Sequence, residues 1–195
     1  MILFVTHPEV VIDPAVPVPD WPLSEVGRAR MEAFAASLAG GPTPVVGVWS
    51  SGERKARDGA EIVAGRLGLT ARVEPDLHEN DRSATGYVAP PEFWEIVEQF
   101  FARPYESVRG WETAAHAQAR IVAAVGRVAA AETGPGLVVV VSHGGVGALL
   151  MAHLQDVAIG QEDRPAHSGG GCWIAIRRED LKVQGGWRNV EDYGR

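Results

Sequence analysis

The stretch GLVVVVSHGG, Gly136 to Gly145, constrains the fold more than any other segment of the chain. Leu137 and the four valines after it carry no polar residue, so the strand they form has no solvent face and is buried on both sides. Ser142-His143-Gly144-Gly145 then reads as a sharp strand-to-helix turn, with a helix expected to run on to about His153. Ile2 to Thr6 is a second apolar strand without alternation. Buried strands that feed helices imply an α/β architecture around a mainly parallel sheet.

The remaining elements fit that plan. Pro8, Pro14, Pro17, Pro19 and Pro22 exclude helix and central strand, which leaves a stiffened loop. Ser24 is expected to cap a helix reaching about Leu38, with Val26, Phe34 and Leu38 facing the core. Pro44 to Trp49 reads as a strand closed by Ser50-Ser51. A helix follows from about Arg54 to Leu67, ended by Gly68. Ala71 to Glu74 reads as a strand and Asp76 to Pro90 as a long polar loop of the kind that often carries function. Helices are expected over Pro91 to Ala102, with Phe93, Trp94, Val97, Phe100 and Phe101 as a packing stripe, and over about Trp111 to Ala131. Cys172 to Arg177 and Val183 to Arg188 read as the last two strands. With no linker or repeat in its 195 residues, the chain is expected to form a single domain, 1–195, built as a three-layer α/β/α sandwich.

Composition narrows the function. With 18 Lys+Arg against 25 Asp+Glu, the net charge of −7 disfavours a general nucleic-acid partner, which needs a basic surface. The lone cysteine, Cys172, excludes an internal disulfide and a Cys-rich zinc site, and reads as a buried apolar residue. The run Ile2 to Val5 is too short for a signal peptide and no run is long enough for a membrane span, so the cytoplasm is the expected compartment.

Ligands of such sheets bind outside the carboxyl ends of the strands. His7 and His143 both fall at that edge, each just after a buried strand. The amides opening the helix after His143 are suited to an anion. One histidine at a strand end is commonly incidental, but two at the same edge point to a site. His78 reads as a surface or rim residue of the polar loop and His116 as lying outside the site. His153 and His167 cannot be placed, and no histidine pair has metal-ligand spacing.

Further segments appear in a telling order. Leu23, Ser24 and Gly27 open the first long helix. Ser50-Ser51 is followed by Lys55 and Ala56. Leu77 and Glu79 stand in the polar loop, and Glu112-Thr113 precedes Arg120. With Val138 to Gly145, these motifs resemble the histidine phosphatase superfamily, the phosphoglycerate mutase-like group, from Ile2 to about Arg177. The resemblance implies a phosphoryl-transfer enzyme that needs no metal or other cofactor. It casts His7 as nucleophile, His143 as partner to the phosphoryl oxygens, Glu79 as general acid and base, and Lys55 with the Gly144 amide as anion contacts.

The likeness breaks at the hallmark triplet, which is Thr6-His7-Pro8 where the family has Arg-His-Gly. Thr6, at the family's substrate-binding arginine, carries no charge, and Pro8 lacks an N–H. Lys55 keeps the charge of a second family arginine but not its planar fork. Arg54 and Arg57 are turned away around the helix. Arg82, after Glu79, is the candidate to supply the missing charge, ahead of Arg109, which reads as a surface arginine. The expected function is a phosphatase on a small phosphorylated substrate, with that substrate or inorganic phosphate as ligand, no membrane or nucleic-acid partner, and a homodimer left open. The alternative is a catalytically impaired relative that binds an anion or serves as a scaffold.

Overall fold

A computed structural model describes residues 1–160 and 169–194 of the chain. Its sheet has six strands: β1 (Ile2–Thr6), β2 (Val45–Ser50), β3 (Ala71–Val73), β4 (Leu137–Ser142), β5 (Cys172–Ile176) and β6 (Arg188–Asn189). They lie in the order β3-β2-β4-β1-β5-β6. β4 runs parallel to both β1 and β2, and β3 is parallel to β2. β5 is antiparallel to β1 and β6 to β5. The predicted α/β fold with a mainly parallel sheet is the one observed.

Strand alternation divides the core. Leu3, Val5, Val139 and Val141 pack with Met31, Phe34 and Val63 from α1 (Glu25–Ala39) and α2 (Arg54–Leu67). Ile2, Phe4, Val138 and Val140 face the other way, against Ile96, Ile121 and Leu149. Those come from α3 (Glu92–Ala102), α4 (Ala114–Ala131) and α5 (Gly144–Leu154). The sheet is thus covered on both faces, and each fully buried valine of β4 contributes roughly 1.5–3 kcal/mol relative to exposure.

Helix ends follow their local chemistry. The Ser24 hydroxyl accepts from the Gly27 N–H, Thr113 accepts from the His116 N–H, and Gly68 ends α2 in the left-handed conformation. Three expectations fail. Val26 and Trp94 are exposed, at 60% and 47%, and Met31 and Ile96 fill the core positions instead. The expected strand Val183 to Arg188 is a single bridge from Ile176 to Val183, and the pairing resumes only at Arg188–Asn189. Gly185, with φ +94°, and Gly186 break the ladder between them. Among the described residues no helix is long and apolar enough to cross a membrane.

Candidate active site

β1 and β4 end side by side, Thr6 in register with Ser142, so the residues after them meet at one edge. The His7 N–H donates to Ser142 O (3.0 Å), and the His7 carbonyl accepts from the Gly171 N–H (3.2 Å). Gly170, at φ +71°, lies so close that a Cβ there would fall 2.2 Å from that carbonyl. Only glycine fits this approach. Arg30 anchors the same corner, with Nη1 2.9 Å from the Glu9 carboxylate and 3.3 Å from Gly170 O. No sequence motif had marked Arg30 or Gly170.

The two imidazoles converge, their ring centroids 5.2 Å apart in an edge-to-face arrangement. His7 Nδ1–H donates to the Pro8 carbonyl at 2.8 Å. A carbonyl can only accept, so the neutral ring carries its lone pair on Nε2. Burial, then repulsion from His143 and Lys55, pushes the His7 pKa down to about 3, which keeps the ring neutral. His143 is wholly buried, and burial likewise holds its pKa below the ordinary value against the pull of Glu53 and Glu79. Its Nε2 lies 2.8 Å from Ser51 Oγ. Ser51 Oγ also accepts from the Glu53 N–H; with the His143 proton placed on Nδ1, Nε2 accepts from the Ser51 hydroxyl. That Nδ1 has no partner among the described residues.

Glu79 sits at the start of α5. Its carboxylate accepts from the N–H groups of Gly145 (3.0 Å), Val146 (2.9 Å) and Asn80 (3.1 Å). The helix-start amides expected to hold an external anion are therefore mostly taken by the protein's own carboxylate. Gly144, the first residue of α5, has open space on its Cβ side. Arg120 braces the Glu79 segment. Its guanidinium forms a two-pronged pair with Glu112 (3.0 and 2.7 Å) and donates to the carbonyls of Asp76, His78 and Glu79 (2.7, 2.9 and 3.2 Å). Ser142 adds a hydrogen bond to Leu77 O at 2.8 Å.

Lys55 is 3% exposed but is not a free cation. Its Nζ lies 2.5 Å from the Glu53 carboxylate and donates to Val18 O at 2.8 Å. Glu53, which sequence reasoning missed, also accepts from the Glu79 N–H (2.9 Å) and stands 3.5 Å from His143 Nε2. Burial raises the Glu53 carboxyl pKa, yet His143, Lys55 and the Glu79 amide together hold it well below the carboxylate range. Because His143 is itself neutral, Lys55 and the amide are the effective sources. The only advance signal for Glu53 was an acidic residue at the N-cap of α2.

Thr6 does not reach the site through its side chain. Its hydroxyl accepts from the Cys172 N–H at 3.0 Å, buried against β5, so the expectation of a substrate contact through that group is corrected. Arg82 lines a neighbouring cavity of about 670 Å³, its guanidinium carbon 5.3 and 5.6 Å from the Phe93 and Trp111 rings. His78 lines the same cavity. Arg109 pairs with Glu92 on the surface, while His116 and His153 are exposed and away from the site. His167 lies outside the described residues. No group of metal-ligating side chains stands out among the described residues.

A family model, the histidine phosphatase superfamily (branch 1), matches residues 4–188. The fold is similar to mycobacterial glucosyl-3-phosphoglycerate phosphatase solved with inorganic phosphate, at 22% identity and TM-score 0.71 over 97% of this chain and 98% of that one. It is similar to Bacillus stearothermophilus YhfR, at 20% identity and TM-score 0.73 over 94% and 93%. It is also similar to a putative alpha-ribazole-5'-P phosphatase from Escherichia coli K-12, at 18% identity and TM-score 0.69 over 99% and 97%. No curated protein matches the chain in sequence.

Proposed function

We propose that this chain, which belongs to the histidine phosphatase superfamily, is a cofactor-independent phosphatase that acts on a small phosphorylated substrate through a phosphohistidine at His7. The observation that carries this reading is the convergence of a neutral His7, its Nε2 lone pair without a partner among the described residues, on the buried His143 at one sheet edge. Two of the similar structures bear phosphatase names, which favours phosphoester hydrolysis.

His7 Nε2 attacks phosphorus. The P–N bond forms and the P–O bond to the leaving group breaks, while Glu79, which takes up the proton of the monoanionic ester as it binds, passes that proton to the departing oxygen. Glu79, now a carboxylate, then removes a proton from water, which attacks phosphorus and releases phosphate as the P–N bond breaks. His143 donates to a phosphoryl oxygen through Nδ1–H, and the Gly144 amide adds a second donor. A mutase must retain the phosphoryl group in a strongly cationic pocket, and the Glu53-paired Lys55 disfavours it.

A second reading, a non-catalytic phospho-ligand binder, rests on the same depleted clamp: Thr6 turned to β5, Lys55 neutralised, and Glu79 on the α5 amides. Hydrolysis of p-nitrophenyl phosphate separates the two. The phosphatase turns it over and forms an acid-labile, base-stable phosphoenzyme that His7→Ala abolishes. A wild type that binds phosphate without turnover leaves the binding reading in place.

A further inference from the structure

A cavity of about 670 Å³ opens between the proline-rich loop after β1 and the polar loop after β3; it is large enough for a small molecule and borders the site through Glu53 and Glu79 rather than through His7 or His143. One wall is rigid and apolar, formed by Pro14, Val16, Pro17 and Val18, and Tyr87 also lines the cavity. Trp21 holds this wall in place: its indole N–H is shared between the carbonyls of Asp13 (2.9 Å) and Val16 (3.0 Å), and its ring packs edge-on against Tyr87.

The charged lining runs opposite to what a polyanion needs. Asp20, Glu53, Glu79 and Asp81 line the cavity against one arginine, Arg82; Glu53 is paired with Lys55 and Glu79 rests on the α5 amides, which leaves Asp20 and Asp81 as the acids with no paired cation among the described residues. Lys55 does not line the cavity, because its ammonium points to Val18 O and Glu53. Independently of these acids, Asn80 lines the cavity at 8% exposure, and its Nδ2 has no partner among the described residues. A buried amide donor without an acceptor is costly unless a ligand supplies one. Turned into the cavity, this amide would meet such an acceptor in an alcohol, ether or carbonyl oxygen of a bound molecule.

Resting on the phosphatase reading, we propose that this cavity receives the leaving group and selects phosphomonoesters whose leaving group is apolar, offers a hydrogen-bond acceptor, and is neutral or cationic. A carboxylate or second phosphate there meets like charge, whereas an ammonium gains Asp20 and Asp81 and offsets the thin cationic clamp around the phosphoryl group. The apolar wall buries the body of the group.

Three aryl esters that differ in the charge of the para position test this: phenyl phosphate, 4-(aminomethyl)phenyl phosphate and 4-(carboxymethyl)phenyl phosphate. We expect kcat/KM for the aminomethyl ester to exceed that for the carboxymethyl ester by roughly tenfold, the size of one solvent-screened ion pair. In the Asp20→Asn, Asp81→Asn double variant this preference collapses toward unity. A carboxymethyl ester hydrolysed as fast as the aminomethyl one overturns the selectivity while leaving the phosphatase reading intact. The matching phosphonates, titrated calorimetrically, cover the converse. If no ester turns over but the aminomethyl phosphonate binds more tightly than the carboxymethyl one, the cavity's preference stands and the phosphatase reading falls. If nothing turns over and no phosphonate binds, both fall.

Discussion

The Lys55 ammonium lies 2.5 Å from the Glu53 carboxylate, with both side chains almost fully enclosed, so the most buried cation near His7 and His143 is already neutralised. The pair bridges two parts of the site. Lys55 tethers the proline-rich loop through Val18 O, and Glu53 holds the Glu79 amide. A charge that the sequence offers to phosphate is spent on assembling the walls.

Glu53→Gln frees that charge. The amide keeps the shape and an oxygen for the Glu79 N–H, but Lys55 is left buried without a counter-charge. Breaking one side of such a pair costs about 3–5 kcal/mol. Thermal unfolding should show a lower Tm for the variant and a larger rise in Tm on adding phosphate or vanadate than the wild type gives. An unchanged response to phosphate would mean that Lys55 does not face the anion even when released.

Thr6→Val tests the assignment of Thr6 to β5. Valine conserves shape but removes the acceptor of the buried Cys172 N–H. Stability should fall by about 1–3 kcal/mol in denaturant unfolding, with kcat/KM little changed. Thr6→Arg, which restores the family's charge in sequence, should destabilise more, because the side chain at this position enters a packed strand interface. A stable Thr6→Arg protein with enhanced turnover would show that β5 can yield.

The Glu112–Arg120 pair governs acid stability. Burial raises the Glu112 carboxyl, but the hydrogen bonds from Arg120 and the Asp81 amide outweigh it and lower its pKa from 4.5 to about 2. The unfolded chain therefore binds a proton that the folded one refuses between those values. The contribution is fully present above pH 4.5 and is lost as pH falls toward 2. Glu112→Gln should flatten stability across that window while lowering it at neutral pH. It should also reduce kcat, since Arg120 braces the carbonyls of Asp76, His78 and Glu79. Unfolding curves from pH 2 to 7 measure the first effect and turnover at pH 7 the second.

How much of this could be read from the sequence depended on the range of the forces involved. β1 and β4 were legible because continuous apolar runs report burial on both faces, and His7 and His143 follow from where those strands stop. Ser24 and Gly68 act on atoms a few residues away, which makes that cap and that terminator readable. Glu53 was not, since its partners, Lys55, the Glu79 amide and His143, come together only in the folded chain. The partner of the Thr6 hydroxyl was not legible either, since the Cys172 N–H on β5 lies 166 residues away in sequence. β6 was overextended because Val183 and Arg188 bracket a glycine pair that tertiary pairing does not bridge.

Glu79 is the sharpest test of the chemistry. Its carboxylate rests on the Gly145 and Val146 amides, fixed at the open end of α5 beside the two histidines. Glu79→Gln keeps an oxygen for one amide, turns an NH₂ toward the other, and removes the negative charge from the helix start. The fold should lose about 1 kcal/mol, as for a weakened cap. Turnover should respond according to the leaving group. An alkyl phosphate needs a proton on its departing oxygen, so its kcat should drop by roughly 10²–10⁴. p-Nitrophenolate departs without help, so its release from the enzyme should slow far less, and the loss should shift to hydrolysis of the phosphoenzyme, where Glu79 deprotonates water. Burst kinetics with p-nitrophenyl phosphate would then show a retained first turnover and a slowed steady state. Gly145→Ala approaches the same carboxylate from outside, because a Cβ there falls 2.6 Å from Glu79 Oε1 and displaces it. It should reproduce the alkyl-ester defect in milder form with the charge intact. Equal losses on aryl and alkyl esters in both variants would remove Glu79 from proton transfer and leave it as a helix cap.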